Sequence, residues 1–444
     1  TKRTVVSASR ASMLLERLVS DGTRVVSPDS KSVLKLLESS PRSSCIRDTS
    51  LAARTVGMAP IMNARDALVL QHSLPPPGPV ETLDATVHAL LMEIERRGFA
   101  ADVDAIAHHK TTALDTMADA ETQLGIEIDL NSPQDVARYL YDHLGLPAPP
   151  NRSTKDEILC GLESRHPAVK YVRRYRRERE IVEGCDMILQ HSDESCIFRP
   201  NFCMVSTHTG RIVTERPNIQ CLPKPLRAFL KPVDPGYLIM RADYRQAELR
   251  ILAHFCQDPQ LMDILSSPMA DPFDLMAGDV GISREEAKVL TYSLLYHGGC
   301  RSIAKKLDFD ATEDAVKLRD AFFKRYPAMR TWVASFEANA EKTGVVEALG
   351  GRVRRFGAAT PEVRRQYLNT LCQASCSHLL KTALVAVERA FPGSVLLCLH
   401  DELILQVPRD AAVDMAARVT EIMQTACPLR VPLFVKTSVT SSWC

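Results

Sequence analysis

The sequence predicts an α+β protein that is built from several packed units. Its 444 residues exceed the length of one ordinary domain. In the first half, apolar residues recur at helical spacing in two long segments, at about residues 80–98 and 103–124. The second half has more β character, with buried strands at residues 237–240, 394–399 and 404–407, and the last two read as a hairpin. Together these patterns are typical of the α+β class.

The composition excludes fibrous, disordered and membrane-spanning classes. Apolar residues make up 45% and charged residues 25% of the chain, as in globular proteins, and no apolar run approaches the roughly 18 residues of a membrane span. A net charge of +1 gives no global signal for a polyanionic partner, so any nucleic-acid site must come from local basic clusters. The 13 cysteines form no C-x-x-C pair, and buried thiols in a reducing compartment explain them better than a metal site at Cys372, Cys376 and His378.

Several segments outside the predicted strands also show sequence patterns that can be interpreted. Residues 1–75 suggest a small α/β unit, and the proline run at 74–79 suggests a linker. Ser132 and Pro133 are typical of a helix start. A helix at about 165–179 is dense in cations, which taken alone is more often a solvated surface than a binding surface. Because the chain begins with Thr1, we expect a fragment of a longer protein that has lost any targeting peptide.

Two aspartates stand at the ends of predicted buried strands. Asp243 closes the first strand, and Asp401 lies at the turn of the hairpin. Carboxylates at strand ends are held rigidly and face solvent, as a pair of divalent cations requires. Either aspartate alone is more often a turn former, so this interpretation depends on the residues between them.

A stripe of cations and aromatic rings lies between the two aspartates. Its residues recur every four positions, so in a helix they share one face: Arg284, Lys288, Tyr292 and Tyr296. Cations alone would suit a solvated surface and rings alone a packed core. Both kinds on one face suit a nucleoside triphosphate, with the cations on the phosphates and a ring on the base.

At this point the sequence resembles the family A, bacterial polymerase I-like, DNA polymerases. Residues 243–254 (DYRQAELRILAH) resemble motif A, residues 284–296 motif B or O helix, and residues 399–403 (LHDEL) motif C. The T-G-R at 209–211, the P-N-I-Q at 217–220 and the pair Asn369 and Gln373 also match family elements in the right order. The resemblance covers about residues 80–444. Within the family, the T-G-R-I segment at 209–212 and Tyr292 resemble the eukaryotic theta and nu branch most closely.

The resemblance implies a right-hand fold with a degenerate exonuclease-like unit before it. The expected divisions are residues 1–77 for the exonuclease-like unit, 78–198 for the thumb and palm-entry helices, 199–246 for the first part of the palm, 247–393 for the fingers with the O helix at 284–297, and 394–444 for the second part of the palm. Because residues 1–75 lack a D-x-E signature, we expect no proofreading.

The resemblance also implies roles for individual residues. Asp243 and Asp401 would bind two Mg²⁺ ions, for which Mn²⁺ would substitute, with the Tyr244 carbonyl as an extra ligand. The residues implied in dNTP binding are Arg284 and Lys288 for the triphosphate, with Lys288 also assisting catalysis, Tyr292 for packing on the nucleotide, Glu248 with Tyr296 for excluding a ribose 2′-hydroxyl, and Gln246. The residues implied along the primer–template minor groove are Arg211, Asn218, Gln220, Asn369, Gln373 and His400. Glu402 and Arg245 are additional candidates, and Arg352, Arg354, Arg355 and Arg365 are candidates for phosphate contacts.

Three departures from the family pattern concern template handling rather than metal binding. Arg245 replaces the usual serine, and its side chain would add a phosphate contact, add a template contact or point away. His297 precedes the glycine that normally ends motif B, and Cys221 replaces the usual asparagine after Gln220.

The expected function is magnesium-dependent extension of a DNA primer with dNTPs, in repair, translesion or end-joining synthesis. Two other functions stay open, namely a catalytically weak DNA-binding scaffold subunit and a single-subunit RNA polymerase, although Glu248 argues against the latter. The expected compartment is the nucleus, with a mitochondrial replication or repair role as the alternative. No membrane association is expected, and the sequence identifies no protein partner.

Overall fold

The computed structural model describes residues 78–268, 271–295, 300–307, 309 and 311–443, with two short strands before them. Those strands, β1 (Val25–Ser27) and β2 (Ile46–Asp48), pair in parallel. The remainder of the predicted exonuclease-like unit, including its predicted linker up to residue 77, lies outside the described residues. So do Tyr296 and His297.

Helices dominate the described chain. In chain order they are α1 (Pro79–Arg97), α2 (Val103–Leu124), α3 (Pro133–Ala137), α4 (Asp156–Leu162), α5 (Pro167–His191), α6 (Lys224–Arg227), α7 (Ala247–Cys256), α8 (Pro259–Ser266), α9 (Pro272–Val280), α10 (Arg284–Leu295), α11 (Cys300–Lys306), α12 (Thr312–Arg325), α13 (Pro327–Thr343), α14 (Pro361–Ala390) and α15 (Ala412–Gln424). The strands that follow β2 are β3 (Phe99–Ala101), β4 (Ile197–Phe198), β5 (Phe202–Cys203), β6 (Val213–Thr214), β7 (Leu230–Lys231), β8 (Tyr237–Tyr244), β9 (Val345–Glu347), β10 (Val353–Arg355), β11 (Val395–Leu399), β12 (Glu402–Pro408) and β13 (Val435–Thr440). Among the ranges given above, no helix is both long enough and apolar enough to cross a membrane.

The contacts divide the chain into two compact units. Unit 1 comprises Thr1–Arg96, Phe202–Val213 and Met240–Ser438, and unit 2 comprises Arg97–Asn201, Thr214–Ile239 and Val439–Cys444. This partition differs from the five-part division expected from the sequence, which stays a prediction.

Unit 1 contains a four-stranded sheet in the order β11-β12-β8-β13. The predicted hairpin is present, because β11 and β12 are antiparallel with Leu399 opposite Glu402. Although β11 lies at one edge of this sheet, all five of its residues are buried. In β8 the burial alternates, so that Ala242 and Tyr244 point into the core while Arg241 and Asp243 share the other, half-buried side.

The helices of unit 1 from α7 to α14 surround a second apolar core, which includes Leu252, Leu261, Phe322 and Tyr367. Asp258 ties two of these helices together. One of its carboxylate oxygens accepts the N–H groups of Gln260 and Leu261 at the start of α8, and the other accepts those of Ala328 and Met329 at the start of α13. The side chain therefore caps two helices at once.

Unit 2 is organised around α2 and α5, which pack against each other along their length. Its small sheet has the order β4-β3-β7. The predicted helix start at Ser132 is confirmed, because the Ser132 hydroxyl accepts the N–H of Asp135 and Pro133 occupies the first turn of α3. Unexpectedly, α3 continues as a π-helix (Arg138–His143).

Candidate active site

The end of the sheet brings Asp243 and Asp401 together. The strand β12 lies beside β8, and the backbone N–H of Tyr244 donates to the carbonyl of Asp401 at 3.2 Å. The turn before Asp401 contains His400 with φ 56°, a left-handed conformation that is uncommon outside glycine. Two buried strands and this turn therefore fix the two carboxylates on neighbouring backbone segments.

The electrostatics show that the two carboxylates are close. Burial raises the pKa of Asp243, and the nearby Asp401 and Glu402 raise it further, to about 7. Burial likewise raises the pKa of Asp401 to about 6, with Glu248 adding to the shift and Arg211 opposing it. The two acids thus share a confined space in which their negative charges repel each other.

This pair fits magnesium. Among the residues in the described ranges, no group of three or more His, Cys, Asp or Glu side chains is arranged to hold a metal ion. Mg²⁺, however, usually takes one or two carboxylates together with substrate phosphates and waters. A divalent cation would also relieve the repulsion between Asp243 and Asp401, which is the physical reason that the donor set suits it.

Glu402 does not add a free third carboxylate. Its side chain is 9% exposed, and its Oε1 accepts a hydrogen bond from Arg241 Nε at 2.5 Å. Sequence reasoning missed Arg241, although a signal was present. Residues at i and i+2 of a strand share one face, so a cation at 241 had to lie on the side of Asp243.

The predicted sugar-selecting residue, Glu248, lies in the first turn of α7. Its Oε1 accepts a hydrogen bond from Arg211 Nη2 at 2.9 Å, and its side chain is 13% exposed. The pKa of Tyr292 is raised to about 12 by burial and then by the charges of Glu248 and Asp401. These residues therefore surround one site. The predicted bond between Glu248 and Tyr296 stays a prediction, because Tyr296 is not among the described residues.

The predicted stripe on α10 has the expected orientation. Arg284 and Lys288 are exposed and Tyr292 is half-buried, while Ala287, Leu290 and Thr291 face the core. The ring of Tyr292 packs on Phe273 at a centroid distance of 5.8 Å.

The guanidinium of Arg284 is hydrogen-bonded to two acidic residues. Its Nη2 and Nε donate to Asp271 Oδ2 at 2.7 and 3.1 Å, and its Nη1 donates to Glu285 at 2.5 Å. Asp271 also caps α9 through the N–H of Phe273. No feature of the sequence indicated this ion pair, because the whole of α9 and a short loop separate Asp271 from Arg284 in the chain.

Two further candidate residues of the nucleotide site, Gln246 and Arg245, lie between β8 and α7. Gln246 precedes α7 with φ 48°. Arg245, for which the sequence left three alternatives open, directs its guanidinium to the carbonyl of Pro268 at 2.7 Å. Its own N–H donates to the carbonyl of Phe434 at 2.8 Å.

The predicted DNA-contacting residues belong to both units. Arg211, Asn369, Gln373 and His400 lie in unit 1, and Asn218 and Gln220 lie in unit 2. Asn369 and Gln373 are half-buried and one turn apart on α14. Asn218 is exposed and caps the short 3₁₀ turn Ile219–Cys221 by accepting the N–H of Gln220.

Most cations of the predicted basic helix contact groups of their own unit. The pairs are Arg173 with Asp156, Arg174 with Asp119, Arg176 with the carbonyls of Leu130 and Thr154, and Arg179 with Glu183. Three other cations of the segment, Arg165, Lys170 and Arg177, are exposed. The prediction that Arg352 contacts phosphate is wrong, because its guanidinium is 5% exposed and binds Asp84.

Comparison with known proteins identifies the family of this chain. The sequence model described as DNA polymerase family A matches residues 103–444. DNA polymerase I of Helicobacter pylori is 28% identical over 381 residues, which are 80% of this chain and 43% of that protein. The thermostable DNA polymerase I of Thermus filiformis is 30% identical over 401 residues, which are 82% of this chain and 48% of that protein. The chain thus spans less than half the length of these relatives.

The fold has a close counterpart among solved structures. The POL domain of Pol1 from M. smegmatis, in complex with DNA primer-template and dNTP, matches with a TM-score of 0.78 at 24% identity, over 89% of this chain and 81% of that chain. The predicted α+β polymerase fold is thereby confirmed. The relatives named here are bacterial polymerases I and do not support the predicted theta and nu branch. Because the family match covers well over half of the sequence, the chain belongs to DNA polymerase family A.

Proposed function

We propose that this chain extends a DNA primer with deoxynucleotides on a DNA template. The observation that carries the proposal is the pair of half-buried carboxylates, Asp243 and Asp401, beside the site of Glu248 and Tyr292. The structural relative from M. smegmatis is in complex with DNA primer-template and dNTP, which supports the same ligands here. The palm, fingers and thumb divisions expected from the sequence belong to this proposal.

Asp243 and Asp401 would hold two Mg²⁺ ions, with the carbonyl of Tyr244 as a further ligand and Mn²⁺ as a substitute. When bound, such ions activate the attacking hydroxyl and neutralise charge on the transferred phosphates. The protein contributes rigidity, because both carboxylates are fixed by buried strands before any ligand arrives.

The triphosphate would bind along the exposed face of α10. Lys288 is exposed, so its ammonium group is available to neutralise the charge that develops on the leaving pyrophosphate. Arg284 must exchange Asp271 and Glu285 for phosphate oxygens. Tyr292 would pack against the nucleotide, with Gln246 at the edge of the same site.

Glu248 would select the sugar by occupying space. Its carboxylate is nearly buried and is held by Arg211, so it cannot swing away at low cost when a ribose 2′-hydroxyl approaches. Arg211, Asn369, Gln373 and His400 of unit 1, with Asn218 and Gln220 of unit 2, would contact the minor groove of the primer–template. Acceptor atoms recur there on every base pair, so these contacts would be independent of sequence.

Primer extension by the purified chain tests the proposal. Asp401→Asn removes one proposed metal ligand, and Asp410→Asn removes an exposed turn carboxylate as the matched control. We expect extension by the wild type and Asp410→Asn with Mg²⁺ or Mn²⁺, and none by Asp401→Asn. DNA binding without extension by the wild type would favour a scaffold subunit, and extension with ribonucleotides alone would favour an RNA polymerase.

We also propose a cellular role for this polymerase. The T-G-R-I wording at 209–212 and Tyr292 support a theta- or nu-like enzyme in repair, translesion or end-joining synthesis, with the nucleus as its compartment and the mitochondrion as the alternative. Extension across an abasic site and joining of ends with short terminal microhomology are the corresponding assays. Failure in both assays would overturn the theta- or nu-like placement and leave the primer-extension activity as the only proposal. We propose no proofreading, so a mismatched primer should lose no nucleotide.

A further inference from the structure

Three buried charged residues, none of them a proposed metal ligand, contact one another in unit 1. The Asp84 carboxylate on α1 accepts hydrogen bonds from Arg352 Nη2 at 2.6 Å and from Lys381 Nζ on α14 at 2.8 Å. The three side chains are 1%, 5% and 0% exposed, respectively. We call these residues the Asp84 cluster.

The Asp84 cluster carries one more positive than negative charge. Burial alone would raise the pKa of Asp84, but the two cations outweigh it and lower the pKa to about 2. Burial and Arg352 lower the pKa of Lys381 to about 8, although Asp84 opposes them. Apolar residues of similar volume often stabilise a protein as well as a buried ion cluster does. These charges therefore call for a reason other than overall stability.

Arg352 covers the backbone of Gly210. A Cβ atom added at Gly210 would lie 2.8 Å from Arg352 Nη1 and 2.9 Å from its Cζ, which is closer than real Cβ contacts. Gly210 also has φ 68°, a conformation that favours glycine. Its carbonyl accepts a hydrogen bond from the buried Ser377 hydroxyl at 2.6 Å. Ser377 lies one turn before Lys381 on α14, so this helix supports both the cluster and the loop.

Because Arg211 follows Gly210 directly, the position of the Gly210 backbone also sets the position of Arg211. Arg211 donates its backbone N–H to the Thr207 hydroxyl at 3.0 Å, and its guanidinium binds Glu248. The described contacts thus run without interruption from Asp84 to Arg352, to the Gly210 backbone, and then through Arg211 to Glu248. If the Arg352 side chain moved, the Gly210 backbone would lose the guanidinium that packs against it.

We propose that Asp84, Arg352 and Lys381 are positioning residues that hold the loop 207–211 and, through Arg211, orient Glu248 for discrimination between deoxynucleotides and ribonucleotides. This inference rests on the proposed function, because it assumes that Glu248 selects the sugar. It assigns a specificity role to charges that are not among the proposed metal or nucleotide ligands.

The test measures single-turnover incorporation of dNTP and of rNTP by the whole chain. The variants are Asp84→Asn, Gly210→Ala and the milder Ser377→Ala, which removes one hydrogen bond and decides the matter if the others fail to fold. Asp258→Asn is the structural control, because this buried acid caps two helices of the same unit and its described hydrogen bonds do not involve the loop. Thermal midpoints are recorded for every variant.

We expect Asp84→Asn, Gly210→Ala and Ser377→Ala to lower the dNTP/rNTP preference by about fivefold or more, the scale of one lost hydrogen bond. Asp258→Asn should lower the thermal midpoint and leave the preference unchanged. If Glu248→Ala abolishes the preference while the three cluster and loop variants retain it, the positioning proposal is overturned and the sugar-gate role stands. If Glu248→Ala retains the preference, the gate fails and this proposal fails with it, while primer extension still decides the polymerase activity.

Discussion

Burial of Asp401, together with its repulsion by neighbouring carboxylates, should make the metal-free protein less stable than a variant that lacks this charge. The informative change is Asp401→Asn, which keeps the shape of the side chain and removes its charge. The folded-state pKa values of about 7 and about 6 lie above the ordinary value of 3.8. Because raising a pKa by one corresponds to about 1.4 kcal/mol of free energy, the raised pKa of Asp401 alone sets an upper limit of about 3 kcal/mol. Water around the half-buried Asp243 screens part of the interaction between the two carboxylates. We therefore expect Asp401→Asn to stabilise the protein by about 1–3 kcal/mol at pH 8.

The sign follows from proton linkage. Because these carboxyl groups have a higher pKa folded than unfolded, their contribution to stability is fully present below pH ~4 and is lost as the pH rises through about 6–7. The advantage of Asp401→Asn should therefore be absent near pH 4 and complete by pH 8. Magnesium at high concentration should reduce this advantage, because even weak binding to the folded wild-type site stabilises the folded state by mass action.

Urea denaturation in EDTA at pH 4, 6 and 8, and again with Mg²⁺ at pH 8, measures these differences. The matched control is Asp410→Asn, whose carboxylate is exposed; it should show no pH-dependent gain. An Asp401→Asn variant that is less stable than the wild type at pH 8 in EDTA would refute the reasoning. A gain of equal size at pH 4 and pH 8 would also refute it, because the charge would then not be its source.

Three other changes have defined outcomes. Lys288→Ala should slow nucleotide addition by about 10²–10³-fold in rapid-quench assays, the scale of one lost electrostatic donor in a transition state, whereas the exposed control Lys324→Ala should leave the rate unchanged. Asp258→Ala removes the cap of two helices and should lower the free energy of unfolding by about 2–4 kcal/mol, twice the loss for one cap; a loss below about 1 kcal/mol would show that the second cap contributes nothing. Asp271→Asn keeps the cap of α9 but removes the anion that binds Arg284, so dNTP should bind more tightly in fluorescence titrations; weaker binding would mean that Asp271 orients Arg284 rather than competing for it.

Local patterns predicted the features of this chain that depend on neighbouring residues. The hairpin of β11 and β12 was readable because two apolar runs flank a polar turn, and that turn placed Asp401. The face of α10 was readable because helical periodicity puts every fourth residue on one side. The start of α3 at Ser132 was readable because capping depends on the next three residues only.

Contacts between distant residues were beyond such patterns. Asp84 and Lys381 are 297 positions apart, and Asp258 caps a helix that begins about 70 positions later. For Arg245, the sequence could not separate the three alternatives. The partner of its guanidinium is the backbone carbonyl of Pro268. Every residue has such a carbonyl, so no sequence pattern identifies this one. The continuation of α3 as a π-helix was not predicted either, because π-helices are rare and helical periodicity does not distinguish them from α-helices.

The pairing of Arg241 with Glu402 has a consequence for how the metals are bound. If Glu402 carried an unpaired charge, three carboxylates would meet at the sheet end and could bind a divalent ion tightly even without substrate. Arg241 neutralises one of them and also opposes the rise in the pKa of Asp243. Two aspartates then remain, which is too few oxygen ligands for a preformed cage around Mg²⁺. The remaining ligands must come from water and from the triphosphate, so tight metal binding should require the nucleotide, and the complete catalytic site would form only when substrate is present.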